Sequence, residues 1–263
     1  MKIGKATVPR SGITTSGEDA IVVRGQDLAR DLIGQVNFAD YFVFLLTGRK
    51  PDAATSAVVN ATLVAIADHG LVPSVQAARM TYAAAPEALQ GAVAAGILGC
   101  GSVILGASEL AGRMFVEIDA EAQRRGGDLR AAASAVVAAR REQKQAIPGY
   151  GHPEHKQRDR RVDALFGVAQ RVGAGQHFIE IAKTVEELLP GIVGKDLKLN
   201  VSAAIPAVLL GVGFPVGALK GVPILARTAS LIAHLHEEQN DPIGFALSYQ
   251  AMREFEYTGE PPK

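Results

Sequence analysis

The stretch whose residue types are best suited to chemistry is a glycine- and proline-rich segment around one histidine, Ala-Ile-Pro-Gly-Tyr-Gly-His-Pro at 146–153. Its paired glycines and prolines disfavour regular secondary structure and predict a shaped loop. Glycine has no Cβ, so main-chain N–H and C=O groups can approach a ligand closely there. We expect the loop to present His152 rigidly, with a solvated loop histidine as the alternative. The cations behind it suit phosphate or carboxylate groups, with a solvated helix start as the alternative; they are Lys156, Arg158, Arg160 and Arg161.

Two residues elsewhere in the chain have the types needed to complete such a site. His69 follows a predicted helix and precedes Gly70, so its ring can project into a cleft or cap the helix end. Arg227 lies in a mostly apolar helix, where a cation needs an anionic partner, either an acidic side chain or a ligand. The sequence therefore predicts an anion site in which both residues are candidates.

The remaining histidines and the cysteine do not form a convincing metal site. His152 with His155, and His234 with His236, lack further ligands at familiar spacing. We predict no metal, and a solvated helix end around the second pair. Cys100 is flanked by glycines and apolar residues, which favours a packing role.

Composition restricts the class of protein. Of 263 residues 48% are apolar, but only 5% are aromatic and none is Trp, which suits closely packed helices with aliphatic cores. Lys plus Arg equals Asp plus Glu at 27 each, so no global field favours nucleic acid or an anionic membrane. The single cysteine excludes an intramolecular disulfide and is typical of a reducing cytoplasm. The first ten residues lack the apolar core of a signal peptide.

Apolar periodicity predicts a mainly α fold with one short strand at 21–23. Two uncharged runs, 91–108 and 201–219, are at or below the roughly 20 apolar residues that a spanning helix needs, so we interpret them as buried helices. The predicted helices are 26–32, 38–46, 52–67, 74–84, 87–98, 107–124, 129–144, 161–172, 177–189, 201–212, 224–238 and 243–254.

Several of these stretches together resemble the citrate synthase superfamily, most closely its citryl-CoA lyase branch, which includes the C-terminal module of ATP-citrate lyase. Residues 66–70 resemble the Ala-Asp-His-Gly motif of that module, and 148–153 with 156 and 159–161 are similar to the family's second histidine motif. Residues 225–229 and 232–234 resemble the segment that supplies a carboxylate-binding arginine. The resemblance covers about 21–257, with further similarity at 22–25, 38–48 and 111–115.

The resemblance implies a citrate synthase-like fold, with large and small helical domains and the active site in the cleft between them. The large domain would comprise 1–70 and 212–263, and the small domain 71–211 would be inserted in it. It also implies a homodimer, formed partly through the helix at 91–108.

The resemblance further implies roles for individual residues in cleaving a CoA thioester. His69 would donate a hydrogen bond to the thioester oxygen, and His152 would contact the alcohol that becomes the ketone. Substrate carboxylates would be bound by Arg161 and Arg227, and by Arg253 from a second subunit. CoA would enter as part of the substrate, with no tightly bound cofactor, and would be held by Pro148, Gly149, Tyr150, Gly151 and Lys156.

One departure from the family pattern concerns the acid–base group. The family carries Asn-Val-Asp where this chain has Asn200-Val201-Ser202, so Ser202 stands at the aspartate position. A neutral hydroxyl does not exchange protons near neutral pH as a carboxylate does, and losing such a group costs about 10²–10⁴ in rate. The segment 104–107 also retains only Gly106 of the usual glycine pair.

Three interpretations follow from that departure. The chain is a slow or differently tuned lyase that cleaves a 3-hydroxy-3-carboxyacyl-CoA to an acyl-CoA and a 2-oxo acid, or it uses an acyl group that needs no aspartate. Alternatively it binds CoA esters without carbon–carbon chemistry. Condensation in the citrate synthase direction is a further alternative.

Overall fold

The structure, a computed structural model, describes residues 9–151 and 159–260 and is mainly helical. Three short antiparallel strands precede the helices: β1 (Thr14–Ser16), β2 (Ile21–Val23) and β3 (Gln26–Asp27). The helices are α1 (Phe38–Thr47), α2 (Ala53–Ala67), α3 (Pro73–Ala84), α4 (Leu89–Leu98), α5 (Ala107–Arg124), α6 (Leu129–Glu142), α7 (Arg160–Arg171), α8 (Gln176–Val193), α9 (Val201–Gly211), α10 (Gly221–Asn240) and α11 (Gly244–Glu254).

Local capping explains many of these bounds. The side chains of Asn37, Asp52 and Asp128 accept hydrogen bonds from backbone N–H groups in the first turns of α1, α2 and α6. Gly48 and Gly194 end α1 and α8 in the left-handed conformation, with φ of 73° and 72°. The sequence pattern therefore places most helices within a few residues of their observed ends.

The predicted helix at 26–32 is wrong in its first part. Val22 and Val23 pair with Asp27 and Gln26, so the chain extends β2 through a turn into β3 before any helix begins. A π-helical turn over Leu28–Leu32 follows. Cross-strand pairing, which single-sequence periodicity does not reveal, overrides the local helical pattern here.

Most of the core is a cluster contributed by α1, α2 and α5 to α9, in which Met114, Phe115 and Ile118 are fully buried. A second cluster joins α3, α4 and α10. Gly96 of α4 faces that cluster, where an added Cβ would lie 2.7 Å from both Leu231 Cδ1 and the Ser74 carbonyl oxygen. A glycine is therefore required for this close approach.

The run at 91–108, which we predicted to be one helix that forms part of a dimer interface, is not a single helix. It is divided between the end of α4 at Leu98 and the start of α5 at Ala107, with turns between them.

The predicted division into two domains stays a prediction. It assigns α3 and α4 to the inserted domain, but both helices pack against α10, and α3 also packs against α11.

One helical stretch in the described chain, Val216–Asn240, has the length and composition to cross a membrane. Its helix α10 packs against α2, α3 and α4 and buries Arg227 and Glu238. Core helices meet the same criterion, so we assign no span, and the expected absence of a membrane partner stays a prediction.

Candidate functional site

His69 lies in a tight turn immediately after α2. Asp68 ends that helix in an extended conformation, and Gly70 follows with φ of +70°, which favours glycine. Val72 N donates to the Gly70 carbonyl and closes the turn. The turn directs His69 into a cavity between α2, α10 and the start of α9.

Asp68 connects this turn to α10. Its Oδ1 accepts from Gly70 N at 2.8 Å, and its Oδ2 accepts from Ser230 Oγ at 2.6 Å. His234 Nε2 lies 2.8 Å from the same Oδ2. Burial raises the pKa of Asp68, but the hydrogen bonds from Ser230, Gly70 and His234 outweigh it and bring the pKa to about 2. The carboxylate is therefore ionised at neutral pH.

Arg227 is buried in the middle of α10, with 3% of its surface exposed. Its Nη1 donates to Ser74 Oγ at a long 3.3 Å, and its Nε has no hydrogen-bond partner within the described chain. Burial lowers the pKa of the guanidinium, the charge of Asp68 opposes that shift, and the charge of Arg161 adds to it. A buried cation in this state has unused hydrogen-bonding capacity beside the cavity.

Arg161 is oriented by Asp159, the residue that caps α7. Arg161 Nε and Nη2 donate to the two carboxylate oxygens at 3.0 and 2.9 Å, and Arg161 N donates at 3.0 Å. Asp159 Oδ2 also accepts from Val201 N, at 3.2 Å. Burial raises the pKa of Asp159, but the contacts with Arg161 and Val201 leave it below its usual value.

Ser202 stands in the first turn of α9. Asn200 caps that helix, and its Oδ1 accepts from Ser202 N at 2.9 Å. Ser202 is half-buried and lines the same cavity. Its assignment to the family's aspartate position stays a prediction.

One cavity of about 290 Å³ brings together four of the predicted site residues, His69, Arg161, Ser202 and Arg227. They are supplied by the α2 turn, α7, α9 and α10 respectively. The other lining residues are Ile66, Val72, Val103, Ile104, Leu105, Ser108, Asp159, Asn200 and Val201. The cavity thus combines an apolar wall with cations, an imidazole and hydroxyls.

The glycine loop is held tightly against the segment before α9. Gly149 O accepts from Asn200 N at 2.9 Å, and Gly151 N donates to Lys198 O at 2.7 Å. Gly149 has φ of +86°, and an added Cβ would lie 2.5 Å from Ala203 Cβ, so glycine is needed on both counts. This is a packing reason for the glycine, and the loop's role in holding CoA stays a prediction.

Tyr150 points into the core, where its hydroxyl donates to the Ala182 carbonyl at 2.8 Å. Burial raises its pKa well above the usual value, and the Glu186 charge adds to the shift. Its ring is therefore a structural anchor, and any contact with CoA would come from its main chain. Pro148 shares the loop, but neither residue lines the cavity.

Three further predicted residues are not among the described residues that line the cavity. His152 and Lys156 lie outside the described residues, so their predicted roles stay predictions. Arg253 lies on α11 with its guanidinium 5.9 Å from the Tyr249 ring centre, and it is absent from the cavity lining. Its predicted action across a subunit boundary stays a prediction.

The predicted solvated helix end around His234 and His236 is confirmed for His236, which is exposed, and is wrong for His234. Its side chain is only 18% exposed and contacts Asp68, a residue 166 positions away. Sequence reasoning missed this contact and that of Ser230; their spacing from Arg227 along one helix face was the available signal. Within the described residues, no three His, Cys, Asp or Glu side chains gather as metal ligands.

Comparison with known proteins agrees with this architecture. The family profile described as citrate synthase, C-terminal domain, matches residues 20–244. Citryl-CoA lyase from Hydrogenobacter thermophilus superposes with a TM-score of 0.85 at 33% identity, covering 98% of this chain and 97% of that one.

Two further relatives are longer than this chain. ATP citrate lyase from Methanothrix soehngenii, solved with citrate and coenzyme A, gives a TM-score of 0.77 at 22% identity; 98% of this chain matches 43% of that chain, a likeness of fold alone. A citrate synthase from Synechocystis sp. is 27% identical over 210 residues, which are 78% of this chain and 50% of that protein. The chain thus spans about half of that relative. From the profile match and the H. thermophilus enzyme together, this chain belongs to the citrate synthase family.

Proposed function

We propose that the chain is a citryl-CoA lyase-like enzyme that cleaves a 3-hydroxy-3-carboxyacyl-CoA to an acyl-CoA and a 2-oxo acid. The observation that carries the proposal is Arg227, a buried cation whose Nε lacks a described partner and which lines a cavity with His69 and Arg161. The likeness to citryl-CoA lyase from H. thermophilus over nearly the full length of both chains supports the same activity.

The two arginines suit a substrate with carboxylate groups. A guanidinium binds a carboxylate through paired N–H donors, and such charge-assisted bonds are the strong ones in proteins. Arg161 is already oriented by Asp159, whereas Arg227 has no described carboxylate partner, so an anionic ligand would satisfy it. We expect at least one substrate carboxylate to lie against Arg227.

The reaction requires two proton movements and one site for negative charge. A base takes the proton of the tertiary alcohol, the adjacent C–C bond breaks, and its electron pair becomes the enolate of the new acyl-CoA. His69 lines the cavity, and we assign to it the hydrogen bond to the enolate oxygen. We assign the alcohol proton to His152, as the family resemblance implies.

The enolate must finally take a proton at carbon. Asp159 is the carboxylate among the described lining residues, and its contacts with Arg161 and Val201 N favour its ionised form. It is therefore poorly suited to give up a proton. We infer that a water molecule in the cavity protonates the enolate and that turnover is slow.

Ser202 favours a second candidate, a CoA-ester-binding protein without carbon–carbon chemistry. The hydroxyl at the start of α9 is neutral, and the carboxylate of Asp159 is already paired with Arg161.

Condensation in the citrate synthase direction is a further alternative that the same residues would serve. It also needs an acid–base group at the acyl carbon.

A mass-spectrometric assay separates these functions. The full chain is incubated with a panel of 3-hydroxy-3-carboxyacyl-CoA esters, and separately with acyl-CoA and 2-oxo acids, while calorimetry measures binding of the same esters. We expect slow cleavage of at least one ester. Tight binding without turnover in either direction would favour the binding protein, and neither binding nor turnover would refute both.

Ser202→Asp tests whether the rest of the site is complete. A carboxylate here would restore proton transfer at carbon, and we expect lyase or condensation rates to rise about 10²–10⁴-fold. Ser202→Asn is the matched control, since it has similar size but no titrating group. Equal rates in both variants would contradict the assignment of this position.

We further propose that the enzyme is a cytoplasmic homodimer with no tightly bound cofactor. Large exposed side chains follow one another along α11, with Phe245 69%, Tyr249 62% and Met252 65% exposed, and contiguous exposed apolar surface of this kind is typical of interfaces. Analytical ultracentrifugation tests the dimer; a monomer at working concentration would contradict it.

A further inference from the structure

The turn that carries His69 is tied to the same helix that carries Arg227. Asp68 makes the connection, since its Oδ2 accepts from Ser230 Oγ and contacts His234 Nε2. A carboxylate that is ionised can only accept hydrogen bonds, so the Nε2 of His234 carries the proton in this contact. The other oxygen, Oδ1, holds the Gly70 amide inside the turn.

The three residues of α10 that serve the site lie on one helix face. Arg227, Ser230 and His234 are separated by three and four positions, which places their side chains above one another. Arg227 lines the cavity, while Ser230 and His234 hold Asp68. The helix therefore sets the position of the His69 turn relative to Arg227.

The C-terminal end of α2 is electrostatically unfavourable for an acidic side chain such as that of Asp68. A negative side chain at the C-terminal end of a helix is disfavoured by the macrodipole, by about 0.3–1 kcal/mol. Asp68 is the residue that ends α2, yet its carboxylate is ionised and has three hydrogen-bonding contacts. The local bond from Gly70 N and the contacts from Ser230 and His234 of α10 together make an aspartate favourable at this position.

We propose that Asp68, held by Ser230 and His234, is a positioning residue that sets the His69 ring against the substrate bound at Arg227. The proposal rests on the proposed function, in which His69 donates to the thioester oxygen. Asp68 itself does not line the cavity and needs no contact with substrate.

This arrangement should affect the chemical step more than substrate binding. The hydrogen bond from His69 strengthens as charge develops on the enolate oxygen, so displacing the ring raises the barrier and leaves ground-state binding nearly intact. A displacement of about 1 Å can cost about 10²-fold in rate. We therefore expect kcat to fall and KM for the CoA ester to change little.

The test compares substitutions at two histidines of α10. His234→Leu removes the donor to Asp68 and should lower kcat about 10- to 100-fold, and His234→Gln, whose amide can donate in its place, should recover part of the loss. His236→Leu is the matched control, because His236 is exposed on the same helix, and it should leave kcat unchanged. A kcat equal to that of the wild type in all three variants would overturn the proposal.

A ligand-free measurement separates this proposal from the proposed function. Hydrogen exchange of the Gly70 amide, which donates to Asp68 Oδ1, should accelerate in Ser230→Ala/His234→Leu and remain unchanged in His236→Leu. Faster exchange in a protein without lyase activity would support the positioning role of Asp68 and refute the proposed function. Unchanged exchange together with unchanged kcat in an active enzyme would refute the positioning role of Asp68 alone. If the double variant does not fold, the single His234→Leu variant decides by the same two readouts.

Discussion

Two arginines in the described chain are equally buried, but their surroundings differ. Arg79 of α3 and Arg227 of α10 are each 3% exposed. Arg79 donates to Glu238 and Glu237, both at 2.5 Å, and to the Asp241 carbonyl at 2.8 Å. Arg227 has a long bond to Ser74 and an Nε without a described partner. The guanidinium of Arg79 is therefore paired within the protein, whereas that of Arg227 can still donate a hydrogen bond to a ligand.

A structural cation and a ligand-binding cation differ in how completely the protein pairs them. Transfer of an unpaired charge from water is strongly unfavourable, so buried charges are normally paired within the protein. Glu238 completes the structural pair and also accepts from the amides of Ile243 and Gly244, which connects α3 to the start of α11. The incomplete pairing of Arg227 is what we expect of the substrate site proposed above.

Arg79→Met should give the largest effect on stability. It leaves Glu238 buried without its cation, a loss of about 3–5 kcal/mol in the free energy of unfolding. Denaturant titration measures the loss. Glu237→Ala is the control: Glu237 is 59% exposed, and pairs at the surface are worth about 0–1 kcal/mol. Similar losses in both variants would remove the distinction between a buried and an exposed partner.

Arg227→Met applies the same substitution to the other arginine and should give the opposite pattern. Removing a buried cation that lacks a full set of partners should leave unfolding free energy unchanged or raised, since apolar replacements at buried ionic sites are often neutral or stabilising. Binding of the CoA ester should weaken by about 10- to 100-fold, the value of one lost charge-assisted bond. A large loss of stability with intact binding would show that Arg227 is structural.

The smallest effect concerns pH. Burial raises the pKa of Glu238, but hydrogen bonds from Ile243 N, Arg79 and Gly244 N leave it below the usual value. A folded-state pKa below that of the unfolded chain, which is about 4.3, gives a stabilisation that is complete above that pH and is lost as pH falls through the folded value. The stability difference between wild type and Glu238→Gln should therefore be largest near pH 7 and shrink below about pH 4. A pH-independent difference would contradict this role.

Much of the helical architecture could be predicted from local patterns. Apolar periodicity indicated helices at 38–46 and 52–67, and in the structure the side chains of Asn37 and Asp52 cap the starts of α1 and α2. Both signals act within a few turns of helix. The helix prediction failed at the start of 26–32, because Gln26 and Asp27 pair with β2 instead of forming a helical turn. Strand pairing is a contact between segments and leaves little trace in either one.

The site could be predicted in part. His69, Arg161, Ser202 and Arg227 were identified by residue type and by resemblance, and the fold brings them to one cavity. The role of His234 was missed because its partner Asp68 is 166 residues away, and nothing local distinguishes it from a solvated histidine.

The residue types available for chemistry, the mainly helical class and the neutral hydroxyl of Ser202 can all be read from the amino-acid order. The full pairing of Arg79, the incomplete pairing of Arg227 and the contacts of Asp68 with α10 depend on how the chain folds. Local signals and tertiary contacts join residues at very different separations along the chain. Helix periodicity and capping act over about four residues, whereas the satisfaction of a buried charge depends on partners that the fold brings from distant parts of the chain.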